Sequence, residues 1–187
     1  MKSPICITSK KFSFLFISML LITSQLFAQV PPISRGSRAL IQTDVPTDVA
    51  AIRQIYQQIN MLKLKPQRFT YESPGCVEEG VVNYFFNDKT IVKITESGSI
   101  GDGSWVKEYY YNDGRVVFCL ESIVGGPAIG PVTKTKYRYY VKNGRVIREM
   151  ENDKVIPADS KATDILKIAG KIYKAYSTKK FAEAICN

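Results

Sequence analysis

The sequence predicts an α+β protein: a six-stranded antiparallel β-meander of three hairpins, with an N-terminal and a C-terminal helix packed on one face. Two observations lead to this prediction. A ten-residue pattern occurs three times, and segments with apolar residues at helical spacing lie before and after the repeated region. The copies are 84–93 (YFFNDKTIVK), 109–118 (YYYNDGRVVF) and 139–148 (YYVKNGRVIR).

Each copy of the repeat predicts one β-hairpin. Asp113-Gly114 and Asn143-Gly144 are strong two-residue turn signals, because both central residues of such a turn need positive φ. Aromatic and β-branched residues, which favour strands, flank both turns. The first copy has Asp88-Lys89 at this point. Its turn chemistry is poorer, and we expect a longer or distorted loop there.

The turns also predict which residues face each other across each hairpin. Opposite charges paired across one face are typical of a solvated sheet surface. With a two-residue turn at 143–144, the last hairpin carries three such pairs: Arg138–Glu149, Lys136–Glu151 and Lys134–Asp153. The other face carries the aromatic rows, and the two helices should cover it.

Both helices are predicted from apolar residues at helical spacing. The first covers 47–64 after Pro46, with the stripe Val49, Ile52, Tyr56 and Ile59. The second covers 158–176, capped by Asp159 or Ser160, with the stripe Ala162, Ile165, Leu166, Ala169, Ile172, Tyr173 and Tyr176. The short segment FAEAIC can add a third helical piece after Ser177.

Residues 1–28 have the pattern of a secretory signal peptide: a basic start, an apolar run and a small residue, Ala28, at the cleavage point. The run is short for a membrane span, and no cysteine that could carry a lipid follows it. We therefore expect a signal peptide at 1–28, a flexible lead-in at 29–43 and a single α+β domain at 44–187. The expected location is periplasmic or secreted, without a lipid anchor or stable membrane insertion.

The residue counts limit the possible chemistry. The chain has no histidine, which excludes Ser-His-Asp and Cys-His catalysis in their usual form and histidine-ligated zinc. We expect no metal and no cofactor. Removing the three leader lysines lowers the formal charge from +9 to +6, a mildly basic value. Nucleic acid is not an expected partner, because the chain is predicted to be exported and its basic stripe has acidic partners.

Three cysteines follow the leader, and an oxidising compartment favours one disulfide among them. The preferred pair is Cys76–Cys186, which would tie the C-terminal segment to the edge of the sheet. Cys119 would then be an inert thiol, since no histidine is present to activate it.

The predicted binding site is the end of the meander opposite the hairpin turns. The links at 97–104 and 124–131 are rich in glycine and proline and approach the only tryptophan, and loops on a rigid scaffold often carry function. The candidate binding residues are Gly101, Asp102, Gly103, Trp105 and Ile129.

A less favoured site is catalytic. In the predicted register Glu108 and Glu121 are diagonal neighbours on one face, about 7–8 Å apart between backbones. This overlaps the ~6.5–9.5 Å carboxylate separation of inverting glycosidases. Cys119 would lie between them, directly opposite Glu108.

Three functions remain open at this stage. The leading hypothesis is an exported, non-enzymatic binding module that contacts an envelope protein or glycan through the loop end around Trp105, with an enzyme inhibitor as one version. The second is a histidine-free carboxylate hydrolase that uses Glu108 and Glu121. The third is a structural or assembly protein.

The repeated hairpins and the leader ending in LFAQ resemble a group of small secreted bacterial proteins of uncharacterised function. Those proteins share aromatic-aromatic-x-(Asp/Asn)-Gly-(Lys/Arg) hairpins followed by a C-terminal helix. The resemblance covers roughly residues 78–176. It implies no activity and assigns no functional residue.

Overall fold

The computed structural model describes residues 45–126 and 129–187, so the predicted signal peptide and lead-in lie outside the described residues. The described residues form three helices and one antiparallel sheet of eight strands in chain order. The helices are α1 (Val45–Met61), α2 (Ser160–Thr178) and α3 (Phe181–Cys186). The strands are β1 (Pro66–Ser73), β2 (Val77–Asn87), β3 (Thr90–Ile100), β4 (Gly103–Asn112), β5 (Arg115–Gly125), β6 (Thr133–Lys142), β7 (Arg145–Glu151) and β8 (Lys154–Ile156).

The α+β class and the antiparallel sheet agree with the sequence prediction, but the predicted number of strands was too low. The three predicted hairpins are β2–β3, β4–β5 and β6–β7, and the sheet continues with β1 on one side and β8 on the other. Each hairpin closes with two residues between its strands. The first turn, which we expected to be longer or distorted, is as short as the other two. Asp88 adopts a φ of 55° there, although the turn contains no glycine.

The repeat encodes a β-bulge as well as a turn. In each hairpin the register shifts by one residue near the turn, between Phe85 and Phe86, Tyr110 and Tyr111, and Tyr140 and Val141. The extra residue on the second strand is the ninth of each copy: Val92, Val117 and Ile147. All three pack into the same apolar cluster beneath α1. The bulge therefore supplies α1 with an additional row of branched side chains.

The bulge corrects the predicted register of the last hairpin. Beyond it, Arg138 lies opposite Met150, and Glu149 lies opposite Tyr139. The three expected charge pairs are not formed, because a shift of one residue moves a side chain to the other face of a strand. Glu149, expected on the solvated face, is 1% exposed.

Both faces of the sheet are covered by helices, so the prediction of two helices on one face was wrong. The first residues of the three copies, Tyr84, Tyr109 and Tyr139, pack in the cluster with α2 and α3. The second-position residues Tyr110 and Tyr140 pack in the cluster with α1. Consecutive aromatic residues in a strand point to opposite faces, and each aromatic row requires its own cover. We name these two surfaces the α2 face and the α1 face.

The helices themselves follow the predicted stripes. Val49, Ile52 and Ile59 of α1 are buried, and Tyr56 packs against them. Asp159 caps α2, its side chain accepting a hydrogen bond from the backbone amide of Lys161. The third helical piece begins at Phe181 after Lys179 ends α2 in the left-handed conformation.

The disulfide joins Cys76 and Cys186, the pair preferred from the sequence. It connects the last turn of α3 to the residue just before β2. The third cysteine, Cys119, is buried and free.

Candidate functional site

A pocket lies on the α1 face, between α1 and strands β5 and β6. Its volume is about 370 Å³, near the lower end of the usual range for ligand sites. The lining residues combine an aromatic and aliphatic base with cationic and amide side chains: Arg53, Tyr56, Gln57, Phe118, Leu120, Lys136, Arg138 and Tyr140. We name this site the basic pocket.

The base of the basic pocket is aromatic because of the repeat. Phe118 and Tyr140 are buried, with ring centroids 5.1 Å apart. Tyr56 of α1 meets Phe118 edge-on, at 5.3 Å between centroids. Such contacts fix the rings in place. The base of the pocket is therefore a rigid apolar surface on which a flat or ring-shaped group can rest.

Three cations surround this aromatic base. The Arg53 guanidinium lies 5.6 Å from the centre of the Tyr140 ring, and its Nε donates a hydrogen bond to the Tyr140 hydroxyl at 3.3 Å. Arg138 donates to the Asn152 carbonyl and lies 3.6 Å from the carboxylate of Asp153, whose side chain is 97% exposed. A pair with so exposed a partner is weak.

Lys136 is the third cation. Its ammonium group forms no ion pair within residues 45–126 and 129–187. The described lining of the basic pocket includes no carboxylate. The pocket is therefore a cationic site with an apolar base, suited chemically to an anionic ligand with a ring.

The loop end predicted as the binding site is arranged differently. The Trp105 indole donates a hydrogen bond to Glu96 Oε1 at 2.7 Å and packs against the α2-face core. It also covers Gly98, where an added Cβ would lie 2.5 Å from the ring. Trp105 is therefore held within the fold, half-buried, rather than presented on a loop.

The other predicted loop residues lie in the turn between β3 and β4, at the start of β4 and in the link between β5 and β6. Gly101 and Asp102 lie in the exposed turn between β3 and β4, and the Gly101 amide donates to Glu78 Oε2 at 3.2 Å. Gly103 begins β4. Ile129 is 95% exposed and follows the two residues that the structure does not describe.

The candidate catalytic pair is not formed. Beyond the bulge Glu108 lies opposite Leu120, and Glu121 lies opposite Lys107. The two glutamates therefore point to opposite faces of the sheet. The prediction that they share a face, with Cys119 opposite Glu108, was wrong; Cys119 lies opposite Tyr109.

Each glutamate of that pair has a cation of its own. Glu108 is 2.6 Å from the Lys93 ammonium on the α1 face, and Glu121 is 3.5 Å from the Lys107 ammonium on the α2 face. Burial, and then the neighbouring Glu121, raise the pKa of the Cys119 thiol well above its ordinary value. A buried thiol of raised pKa is not a nucleophile.

A polar group inside the α2-face core was missed by the sequence analysis. Glu96 is fully buried, and its Oε1 accepts hydrogen bonds from Tyr71 (2.9 Å) and Trp105 (2.7 Å). Burial raises the pKa of Glu96, against the opposing effects of Lys107 and these two donors. The available signal in the sequence was the alternation of residues along the strand. It assigns Glu96 to one face of the sheet, but it does not show whether that face is buried or solvated.

Neither family models, curated proteins nor solved structures include a match to this chain. Within the described residues, no helix is long and apolar enough to cross a membrane. The same part of the chain contains no group of three or more Asp, Glu or Cys placed to hold a metal ion. The resemblance to small secreted hairpin proteins stays a prediction.

Proposed function

We propose that this protein is an exported, non-enzymatic binding module that binds an acidic glycan in the basic pocket. The observation that supports the proposal is the pocket itself, in which three cations surround a fixed aromatic base. The predicted leader and the Cys76–Cys186 disulfide agree with export, because such bonds persist in oxidising compartments.

The geometry suits a sugar that carries a carboxylate. The apolar C–H face of a pyranose ring can bury its surface against Tyr56 and Phe118. A carboxylate on the ring edge would then accept hydrogen bonds from Arg53 or Lys136. Hydrogen bonds with a charged partner are roughly twice as strong as neutral ones. The aromatic base and the cations thus recognise two different parts of one ligand.

The basic pocket is a better candidate than the loop end. Trp105 already uses its indole N–H and much of its ring within the core, so binding there would compete with packing. The alternative hydrolase depended on Glu108 and Glu121 acting across one bond, and the sheet separates them. An assembly role remains a separate hypothesis, and it does not use the pocket.

The test is calorimetric titration of the exported chain with an oligosaccharide of uronic acids and with a neutral oligosaccharide of equal length. The uronate should bind, and its affinity should fall as salt rises, because the contacts are ionic. Arg53→Ala and Lys136→Ala should each weaken binding by about 10- to 100-fold, the range for a lost charged hydrogen bond.

Lys89→Ala is the matched control, since it removes one positive charge in the exposed β2–β3 turn, away from the pocket. It should change the affinity less than about twofold. Equal affinity for the acidic and neutral sugars, or equal losses in Lys89→Ala and Lys136→Ala, would contradict the proposal.

A further inference from the structure

The outer edge of β1 is long and regular. β1 has eight residues, Pro66–Ser73, and pairs on one side with β2. Alternate backbone groups of an edge strand point away from the sheet. Among the described residues, the only backbone hydrogen bond to β1 from outside the sheet ladder closes the turn at Ser73. The opposite edge, β8, has just three residues.

β1 itself carries no bulged residue. Near its end the register shifts between Tyr71 and Ser73, which face Gly80 and Val77. Two steps along β1 therefore match three along β2, so the extra residue belongs to β2. The disulfide at Cys76 and the contact of α3 with β1 hold this edge in place. Because this edge is already ordered, pairing with another strand would lose little conformational entropy on the β1 side.

The side chains of β1 are complementary to those of a second β1. Arg68, Thr70 and Glu72 alternate along the strand and are all exposed. If two β1 strands run antiparallel with Thr70 facing Thr70, Arg68 of each copy faces Glu72 of the other. Phe69 then faces Tyr71 on the α2 face. Aromatic and opposite-charge pairs are the cross-strand contacts that stabilise sheets.

Only this register satisfies both charges. A shift of two residues in either direction places Arg68 opposite Thr70 or Pro74, and both ion pairs are lost. Within the described part of the chain neither Arg68 nor Glu72 has an ion-pair partner of its own. A twofold axis through Thr70 repeats each contact, as expected for a symmetric dimer.

We propose that two copies of this chain associate through β1, antiparallel and centred on Thr70, to form one continuous sheet. A groove of about 640 Å³ runs beside the strand, between β1 and the residues around Phe181. This open space lies beside the strand, where a second β1 would pair. This proposal is independent of the basic pocket.

The experiment measures association of the full exported chain by sedimentation velocity over a wide concentration range. The wild type should pass from monomer to dimer as concentration rises. Arg68→Glu and Glu72→Arg should each raise the dimer dissociation constant about tenfold or more, since both ion pairs become like-charge pairs. The double swap, Arg68→Glu with Glu72→Arg, should restore dimerisation. In that variant opposite charges again face each other at positions 68 and 72 of the two copies.

A cross-linking arm reads the register directly. Thr70→Cys should be joined to its symmetry mate by a short bifunctional thiol reagent, whereas Thr163→Cys on the exposed side of α2 should not. The native thiol, Cys119, is buried and does not compete. A monomer at every concentration would overturn the proposal, including the case in which the N-terminal lead-in or a foreign strand covers β1. Dimers that the double swap fails to restore, or that cross-link equally at both positions, would overturn the register.

Discussion

Three tyrosines occupy the same position in the three copies of the repeat, yet their hydroxyls differ in one contact. Tyr84, Tyr109 and Tyr139 are all 0% exposed on the α2 face. The Tyr84 hydroxyl donates to the carbonyl of Ile172 in α2 at 2.7 Å. The hydroxyls of Tyr109 and Tyr139 have no hydrogen-bond partner among the described residues. Replacement by phenylalanine therefore tests the energetics of one hydroxyl in three matched environments.

The expected effects differ in sign. Tyr84→Phe loses a buried hydrogen bond, which costs about 0.5–1.5 kcal/mol of stability. Tyr109→Phe and Tyr139→Phe remove a polar group buried without a partner, whose desolvation penalty is about 1–3 kcal/mol. These two variants should be unchanged or more stable than the wild type. Tyr84→Phe should therefore lie about 0.5–4.5 kcal/mol below them.

Urea unfolding without reductant measures this difference, because the disulfide stays intact. For a slope near 2 kcal/mol per molar, the difference corresponds to a gap of roughly 0.3–2.3 M in the midpoint. The slopes of all four proteins should agree, which shows that only stability has changed. If Tyr109→Phe is as destabilised as Tyr84→Phe, the Tyr109 hydroxyl has a partner such as a buried water, and the reasoning is wrong.

Two further predictions concern the region around Trp105. Burial raises the pKa of Glu96 above its unfolded value, so its contribution to stability is complete below the unfolded pKa and is lost as pH rises through the folded pKa. Glu96→Gln should therefore gain stability relative to the wild type as pH rises above the ordinary pKa of a glutamate, measured by urea titrations at a series of pH values; parallel pH profiles would refute this. Gly98→Ala should cost about 1–3 kcal/mol, because the new Cβ would lie 2.5 Å from the Trp105 ring and 2.8 Å from the Val77 side chain. The chain's single tryptophan should report the displacement as a change in fluorescence, and an unchanged spectrum with unchanged stability would show that the ring can move freely.

The hairpin strands were predictable because the signals were local. The turn residues Asp113-Gly114 and Asn143-Gly144, with aromatic neighbours, specify strand, turn and strand within ten residues. β1 was missed because its sequence, PQRFTYES, starts with proline and has just two apolar residues in alternation. β8 was missed because three residues are too few to form a pattern. Their pairing with β2 and β7 supplies the stability that their own sequences lack.

The candidate sites depended on facts that are not local. The ninth residue of each copy is apolar whether or not it forms a bulge, so the register beyond the turn could not be read from alternation. The shift in the β4–β5 hairpin places Glu108 and Glu121 on opposite faces, and the shift in the β6–β7 hairpin moves Glu149 to the buried face. The basic pocket was missed for a related reason: Arg53 and Lys136 are 83 residues apart in the chain, and they meet when α1 packs across the sheet.

The sequence by itself determined the three hairpins, the helical stripes and the class of fold, because turn chemistry and apolar periodicity act between neighbouring residues. The tertiary structure decided the rest: the bulged register, the two edge strands, the assignment of α1 and α2 to opposite faces, and the gathering of cations over an aromatic base. These features arise when elements that are distant in the chain pack against each other. They depend on the surfaces of several segments at once, so no single segment of the sequence predicts them.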